Sequence, residues 1–430
     1  MYHRVGAAAF KKDLTNTLAL CAHLGNPQHQ FPTIHVAGTN GKGSVSHFLA
    51  AVCQSLGLKT GLYISPHYRD FRERIKINGS YIPKQRVVRF VDKNKSAIEE
   101  IQPSFFEMCV AMAFDHFARE KVDIAIIEVG LGGRLDSTNV ITPLLSVITN
   151  ISFDHMDMLG HTLPLIAGEK AGIIKPGIPV VIGETHPETA PVFDQKAAEQ
   201  QASITFADQE LTTSVVAEAT SLDTWDRTVY QIHRGDAVEH APFEAQVAGP
   251  FQAKNVNTAA QAVAVLDQVP GFQAILQRKK ITATASDVFP GALAQLRELT
   301  RFQGRWQVIG TAPTILCDSA HNDAGLSSVF EKIMEAPQWQ HLHIVTGFVN
   351  DKDLSKALRH FPAQAQYYFA KANIPRGLEA ELLREKAAEF DLHGKAYSSV
   401  PNALKAAKKA AHPNDLILVV GSIFVVAEVI

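Results

Sequence analysis

The chain has 430 residues, enough for roughly two or three domains with a sizeable buried core. Hydrophobic residues make up 46% and charged residues 20%, an ordinary globular balance, and the formal net charge is −2. That charge excludes a general electrostatic pull toward nucleic acid or an anionic membrane, so an anionic ligand must be met by local charges. Cys21, Cys53, Cys109 and Cys317 are far apart, with no CxxC spacing. They read as reduced core residues of a cytosolic protein rather than a disulfide set or a zinc site.

Residues 1–12 lack a long apolar stretch behind a basic start, so no signal peptide is expected. Residues 33–37 predict a short buried strand, and GTNGKGS (38–44) follows it. Val45, Phe48, Leu49, Val52, Cys53 and Leu56 then fall at helical spacing, with Gly57 as the stop. Residues 60–64 give the next strand, and the apolar runs 122–129, 144–149 and 179–182 give three more. Apolar strands alternating with helices imply a mostly parallel sheet covered on both faces. Between 204 and 247 the pattern turns polar and β-like, a small side sheet whose clearest strand is 228–232, and 253–266 is an alanine-rich helix. After Arg305 a second alternation sets in, with strands at 314–317, 343–346, 367–369 and 416–420 and no glycine-rich dinucleotide loop. The apolar run 416–430 is shorter than the roughly 20 residues of a membrane span. Gly421-Ser422 and Glu428 interrupt it, so a strand, a glycine turn and a packed helix are expected, with no membrane partner. The expected domains are 1–297 and 298–430.

The segment 38–44 has the context of a phosphate-binding loop, between a strand and an amphipathic helix. There, successive backbone N–H groups and a helix N-terminus converge on phosphate oxygens while a lysine adds a full charge. The sequence departs twice from GxxxxGK[ST]. Val36 replaces the first glycine, and Gly43 replaces the hydroxyl residue after Lys42, with Ser44 one place later. A Mg²⁺ ion would then need another ligand, and Ser65 is a candidate. Glu128 ends an apolar strand where it would face the crevice beyond the sheet. His155 follows a further strand, but Mg²⁺ prefers oxygen, and chemistry alone favours a structural histidine there.

In order along the chain stand HVAGTNGKGS (35–44), YISPH (63–67), ERI (73–75), IEVGLGGRLDSTN (127–139), DHMDMLGHT (154–162), GEKAGIIKPG (168–177), GRWQ (304–307), DSAHN (318–322) and GFVNDKD (347–353), with a terminal pair at Gly421 and Ser422. This ordered set resembles the folylpolyglutamate synthase and dihydrofolate synthase family, within the Mur ligase superfamily. The resemblance covers nearly the whole chain and includes the displaced hydroxyl of GTNGKGS. It implies an α/β fold: a P-loop-containing central domain of Mur-ligase type with a small side β-sheet, then a C-terminal Rossmann-like domain. It also implies an ATP-dependent ligase that joins L-glutamate to dihydropteroate, to a reduced folate, or to both, through an acyl phosphate. A cell-wall ligase of Mur type and a switch ATPase without ligase activity are the rival readings. Such cell-wall ligases carry a further domain ahead of the loop, which begins here at Gly38.

The resemblance also assigns residues. Thr39, Asn40, Gly41, Lys42, Gly43 and Ser44, with Asn255, Arg305 and Asp318, would bind ATP. Ser65, Glu128 and His155 would hold two Mg²⁺ ions, which reverses the structural reading of His155. Lys42, Lys170 and His321 would serve catalysis, Lys170 either as a salt-bridging lysine or as a carbamate. The pterin would meet Ser104, Phe105, Phe106 and Glu107, with Arg134 near the same crevice; for the two phenylalanines, core packing stands equally open. Arg305 reads otherwise as a surface arginine at a hinge, and Asp318 as a helix N-cap. A monomer without nucleic-acid partners is expected.

Overall fold

The structure, a computed structural model, describes residues 13–218, 221–335, 339–350 and 354–430. The expectation for 1–12 and the end of the GFVNDKD segment, 351–353, lie outside the described residues. The chain forms two compact units. The first comprises Met1–Val216, Tyr230–Ala245 and Gln252–Phe302, and the second Ala217–Val229, Gln246–Phe251 and Gln303–Ile430. The sequence placed the division at 297/298 and gave everything before it to the first domain. Two short segments instead join the second unit because their apolar side chains are buried there. Trp225 and Ala248 belong to its core, and Trp225 meets Trp306 edge-on with ring centroids 5.2 Å apart.

The first unit is built on an eight-stranded sheet. Its strands are β1 (Thr33–Ala37), β2 (Thr60–Tyr63), β3 (Ile75–Ile77), β4 (Ser80–Tyr81), β5 (Ile124–Glu128), β6 (Leu145–Ile148), β7 (Val180–Ile182) and β8 (Ile204–Phe206). Their order is β4-β3-β2-β5-β1-β6-β7-β8. Pairing is parallel from β2 through β8, with β3 and β4 added as an antiparallel edge hairpin. β1 and β5 are buried at every position, as strands covered on both faces must be. The covering helices include α1 (Lys42–Ser55), α2 (Phe105–Glu120), α3 (Leu163–Ala171) and α4 (Gln252–Leu266). The polar stretch 204–247 does supply a small sheet of three strands, β9 (Thr212–Glu218), β10 (Thr228–Arg234) and β11 (Ala237–Ala245).

The second unit holds a six-stranded sheet of β12 (Gln307–Thr311), β13 (Thr314–Cys317), β14 (Leu342–Thr346), β15 (Gln366–Ala370), β16 (Gly394–Tyr397) and β17 (Leu416–Val420). The order is β12-β13-β17-β14-β15-β16, parallel except for β12. β12 and β16 were not expected. Their patterns are half-buried and lack the continuous apolar run that marks the central strands. The C-terminal run forms strand, glycine turn and short helix as expected, and among the described residues no helix is long and apolar enough to cross a membrane.

Candidate active site

Parallel strands deliver their following loops to one sheet edge, and the expected residues gather there. The phosphate loop follows β1, Ser65 follows β2, Glu128 ends β5 and the segment 149–155 follows β6. Gly41 caps α1 with φ at 83°, a left-handed conformation that favours glycine. A Cβ at that position would lie 2.2 Å from Asn255 Oδ1, so Asn255 on α4 stands directly against the loop. Asn255 Nδ2 donates to Gln252 Oε1 at 3.0 Å, and Gln252 Nε2 reaches Ser44 Oγ at 3.4 Å. The first intrahelical bond of α1 runs from Val45 N to Gly41 O, which leaves the N–H groups of the first turn at the loop mouth. There the helix dipole adds its positive end.

The loop is laced to a segment that the sequence reading assigned no role. Thr39 N and Asn40 N donate to Asn150 O and Asn150 Oδ1, each at 2.9 Å. Thr149 Oγ1 donates to Asn40 O at 2.5 Å, and Ser152 N to Thr39 Oγ1 at 3.0 Å. These residues belong to no fixed motif; their signal is only a run of short polar side chains after an apolar strand. Lys42 Nζ donates to Gly38 O at 3.0 Å and to Thr39 O at 2.9 Å. Lys170 on α3 donates to the same Gly38 O at 2.9 Å. Lys170 is buried and forms no ion pair among the described residues, so the salt-bridge reading of this lysine is corrected. Burial, and then the charge of Lys42, bring its pKa down to about 7, while Asp154 opposes the shift.

Glu128 is 4% exposed, and its Oε2 accepts Ser65 N at 2.9 Å. Its Oε1 lies 3.6 Å from where a Cβ on Gly43 would sit. The carboxylate therefore stands between the phosphate loop and Ser65, in the place the missing hydroxyl of Gly43 would otherwise serve. His155 caps the short helix Met156–Leu159 at φ 51°, three residues beyond Ser152, and its Nε2 lies 3.8 Å from Asp154 Oδ2. Among the described residues no group of three or more His, Cys, Asp or Glu is arranged to hold a metal. The donor set fits Mg²⁺ nevertheless, because that ion takes one or two carboxylates and fills its other positions with hydroxyl, phosphate and water oxygens.

On the other side of β2, Ser104 and Glu107 cap α2 reciprocally: Glu107 N donates to Ser104 Oγ at 3.3 Å and Ser104 N to Glu107 Oε2 at 2.5 Å. Glu107 is buried, and its Oε1 has no hydrogen-bond partner among the described residues. Phe105 packs on Phe71 at 5.7 Å beneath the Arg74 guanidinium, also at 5.7 Å, and Phe106 packs on Tyr63 at 6.2 Å. Both phenylalanines stay partly exposed, so they combine core packing with an open face. Arg134 belongs to the loop after β5, and a Cβ on Gly130 of that loop would lie 2.3 Å from Phe106 Cζ. Its guanidinium pairs with Glu169 on α3 at 2.8 Å rather than with Phe105, Phe106 or Glu107. The same loop supplies Asp136, buried, bonded by Leu131 N and Thr138, with its pKa raised by that burial.

The second unit carries the remaining residues. Asp318, just beyond β13, accepts Trp306 N at Oδ2 and Ala320 N at Oδ1, both at 2.8 Å. It caps no helix: α5 (Asp323–Glu335) begins five residues later. Burial raises its pKa, and Arg305 opposes that shift. His321 Nδ1 lies 3.0 Å from Ser319 O. Ser422, after β17, caps the helix Ile423–Ala427 by accepting Phe424 N at 3.0 Å.

Two family models match the chain, the Mur ligase middle domain over residues 36–264 and the Mur ligase glutamate ligase domain over 304–423. The dihydrofolate synthase/folylpolyglutamate synthase of Bacillus subtilis is 30% identical, over 97% of this chain and 94% of that protein. The chain belongs to the folylpolyglutamate synthase and dihydrofolate synthase family of Mur ligases. A probable bifunctional folylpolyglutamate synthase/dihydropteroate synthase of Haloferax volcanii is 32% identical over 95% of this chain, which spans 47% of that longer protein. Among solved structures, E. coli FolC in complex with DHPP and ADP superposes with a TM-score of 0.82 at 27% identity, covering 100% of this chain and 95% of FolC. Within the family frame, Asp318 and the phosphate loop lie on the two domains the models describe.

Proposed function

We propose that this protein joins the α-amine of L-glutamate to the carboxylate of a pterin substrate at the expense of ATP, releasing ADP and phosphate. One observation carries the reading: a phosphate loop backed by Asn255, with Glu128 and Ser65 standing where the loop itself offers no hydroxyl. The relatives and the FolC complex with ADP support it. A carboxylate does not accept an amine directly, because the leaving group would be oxide. Phosphorylation converts that oxygen to phosphate, and attack by the amine then releases it and leaves an amide.

The residues divide the work. Lys42 exchanges its bonds to Gly38 O and Thr39 O for phosphate oxygens, and the α1 N–H groups bind the same anion. Glu128 and Ser65 would hold Mg²⁺, with His155 at a second ion, and the metal would supply charge neutralisation at the transferring phosphoryl group. The open faces of Phe105 and Phe106 stack on the pterin, and the unpartnered Glu107 Oε1 accepts its N–H groups. Arg305 meets phosphate, the second lone pairs of Asp318 accept from ribose, and His321 serves the incoming amine. The low pKa of Lys170 leaves much of its amine neutral near pH 7, the form that adds CO2 to become a carbamate.

The test is phosphate release and product formation with ATP, L-glutamate and either dihydropteroate or tetrahydrofolate. Turnover that needs both the pterin and glutamate is expected with both pterins. ATP hydrolysis indifferent to both would replace the ligase reading with that of a switch ATPase.

A further inference from the structure

Lys76, on strand β3 between β4 and β2, is 2% exposed, yet it forms no ion pair among the described residues. A buried ammonium without a carboxylate is expensive, and an apolar residue would be the cheaper occupant. Its hydrogens go instead to neutral acceptors: His47 Nε2 at 3.2 Å and Thr300 O at 3.0 Å, with the Tyr81 ring 5.9 Å away.

The chemistry of the donor fixes the direction of this chain of bonds. An ammonium only donates, so His47 Nε2 accepts and the ring proton sits on Nδ1. Nδ1 lies 2.7 Å from Gly43 O and donates to it. The carbonyl of Gly43 shares its peptide with the N–H of Ser44, one of the first-turn donors at the phosphate site. A charge-assisted bond onto one end of a peptide strengthens the donor at the other.

The third partner, Thr300, belongs to the last residues of the first unit, which ends at Phe302. The β3–β4 hairpin and α1 hold this stretch at several points. A Cβ on Gly79, in the hairpin turn, would lie 2.5 Å from Leu299 O. The Arg301 guanidinium lies 4.6 Å over the Tyr81 ring, and Phe302 meets His47 edge-on at 5.3 Å and Phe48 at 6.0 Å.

We propose that Lys76 is a positioning residue for the nucleotide: through His47 it holds and polarises the Gly43–Ser44 peptide, and through Thr300 it ties that peptide to the segment leaving the ATP-binding unit. This rests on the nucleotide reading above but on no step of the ligation, so it is tested by binding alone. MgADP is titrated calorimetrically into the full-length protein and the Lys76→Met, Lys76→Arg and His47→Asn variants, with a thermal melt of each. Lys76→Met is expected to bind about tenfold more weakly, about 1.4 kcal/mol. Its melting temperature should stay level or rise, because a buried cation is replaced by an apolar chain of similar length. Lys76→Arg should restore affinity to within about threefold of the original. His47→Asn keeps a donor for Gly43 O but loses Lys76, and should match Lys76→Met; it also stands in should Lys76→Met fail to fold. Unchanged affinity in Lys76→Met or His47→Asn, or weakening that Lys76→Arg does not repair, overturns the proposal. An unaltered protein without MgADP affinity would overturn the ligase reading along with it, which separates the two failures.

Discussion

Gly41→Ala tests how the loop is built. The residue sits at φ 83°, where an L side chain costs about 1–2 kcal/mol. The new Cβ would also lie 2.2 Å from Asn255 Oδ1, so Asn255 must move and give up its bond to Gln252, worth about 1 kcal/mol. The sum is roughly 2–3 kcal/mol of stability, about 5–10 °C in melting temperature for a unit of this size. Function should suffer more. Moving the cap redirects the N–H groups that follow it, and losing about two charge-assisted bonds to phosphate weakens ADP by about a hundredfold. A thermal melt and an ADP titration read the two effects separately. If Gly41→Ala melts with the unaltered protein and binds ADP within twofold of it, the loop is not held as described.

Glu128→Gln keeps an acceptor for Ser65 N, so the fold should persist with a shift of no more than about 1 kcal/mol, while ligation falls at least about a hundredfold because the carboxylate that would hold Mg²⁺ is gone. Steady-state turnover beside a thermal melt decides it, and near-normal product formation would remove Glu128 from the metal site. Glu107→Gln can keep the cap on Ser104 N while turning the unpartnered oxygen into a donor; KM for the pterin should rise about tenfold or more with ADP binding unchanged, and an unaltered KM would leave Glu107 a cap alone. Lys170 makes stability depend on pH. Its folded pKa of about 7 lies below the unfolded 10.5, so the unfolded chain holds more protons between them and this contribution grows as pH rises through that window. Relative to Lys170→Met, the unaltered protein should gain about 2 kcal/mol of unfolding free energy from pH 7 to pH 9 in CO2-free buffer, measured by denaturant titration. A flat difference would mean the amine is not buried as a cation.

Much of the first unit was legible because strands covered on both faces leave continuous apolar runs, as in β1, β5 and β6. The departure of Gly43 from the usual hydroxyl was equally legible, and it pointed to Ser65 and Glu128 before any geometry was known. What pattern could not show is contact between distant residues. Asn150 on the phosphate loop, the shared carbonyl of Gly38 beneath Lys42 and Lys170, and the pairing of Arg134 with Glu169 all arise from chain crossings that leave no periodic trace. The same holds for Trp225, whose segment reads as part of the side sheet but is buried in the second unit beside Trp306. The sequence by itself determined the fold class, the loop and the order of the motifs, because local spacing and residue chemistry carry that information. Only the tertiary structure decided which buried groups share a partner: the orphan oxygen of Glu107, and the path from Lys76 through His47 to the phosphate loop, exist because packing brings residues far apart in the chain within hydrogen-bond reach.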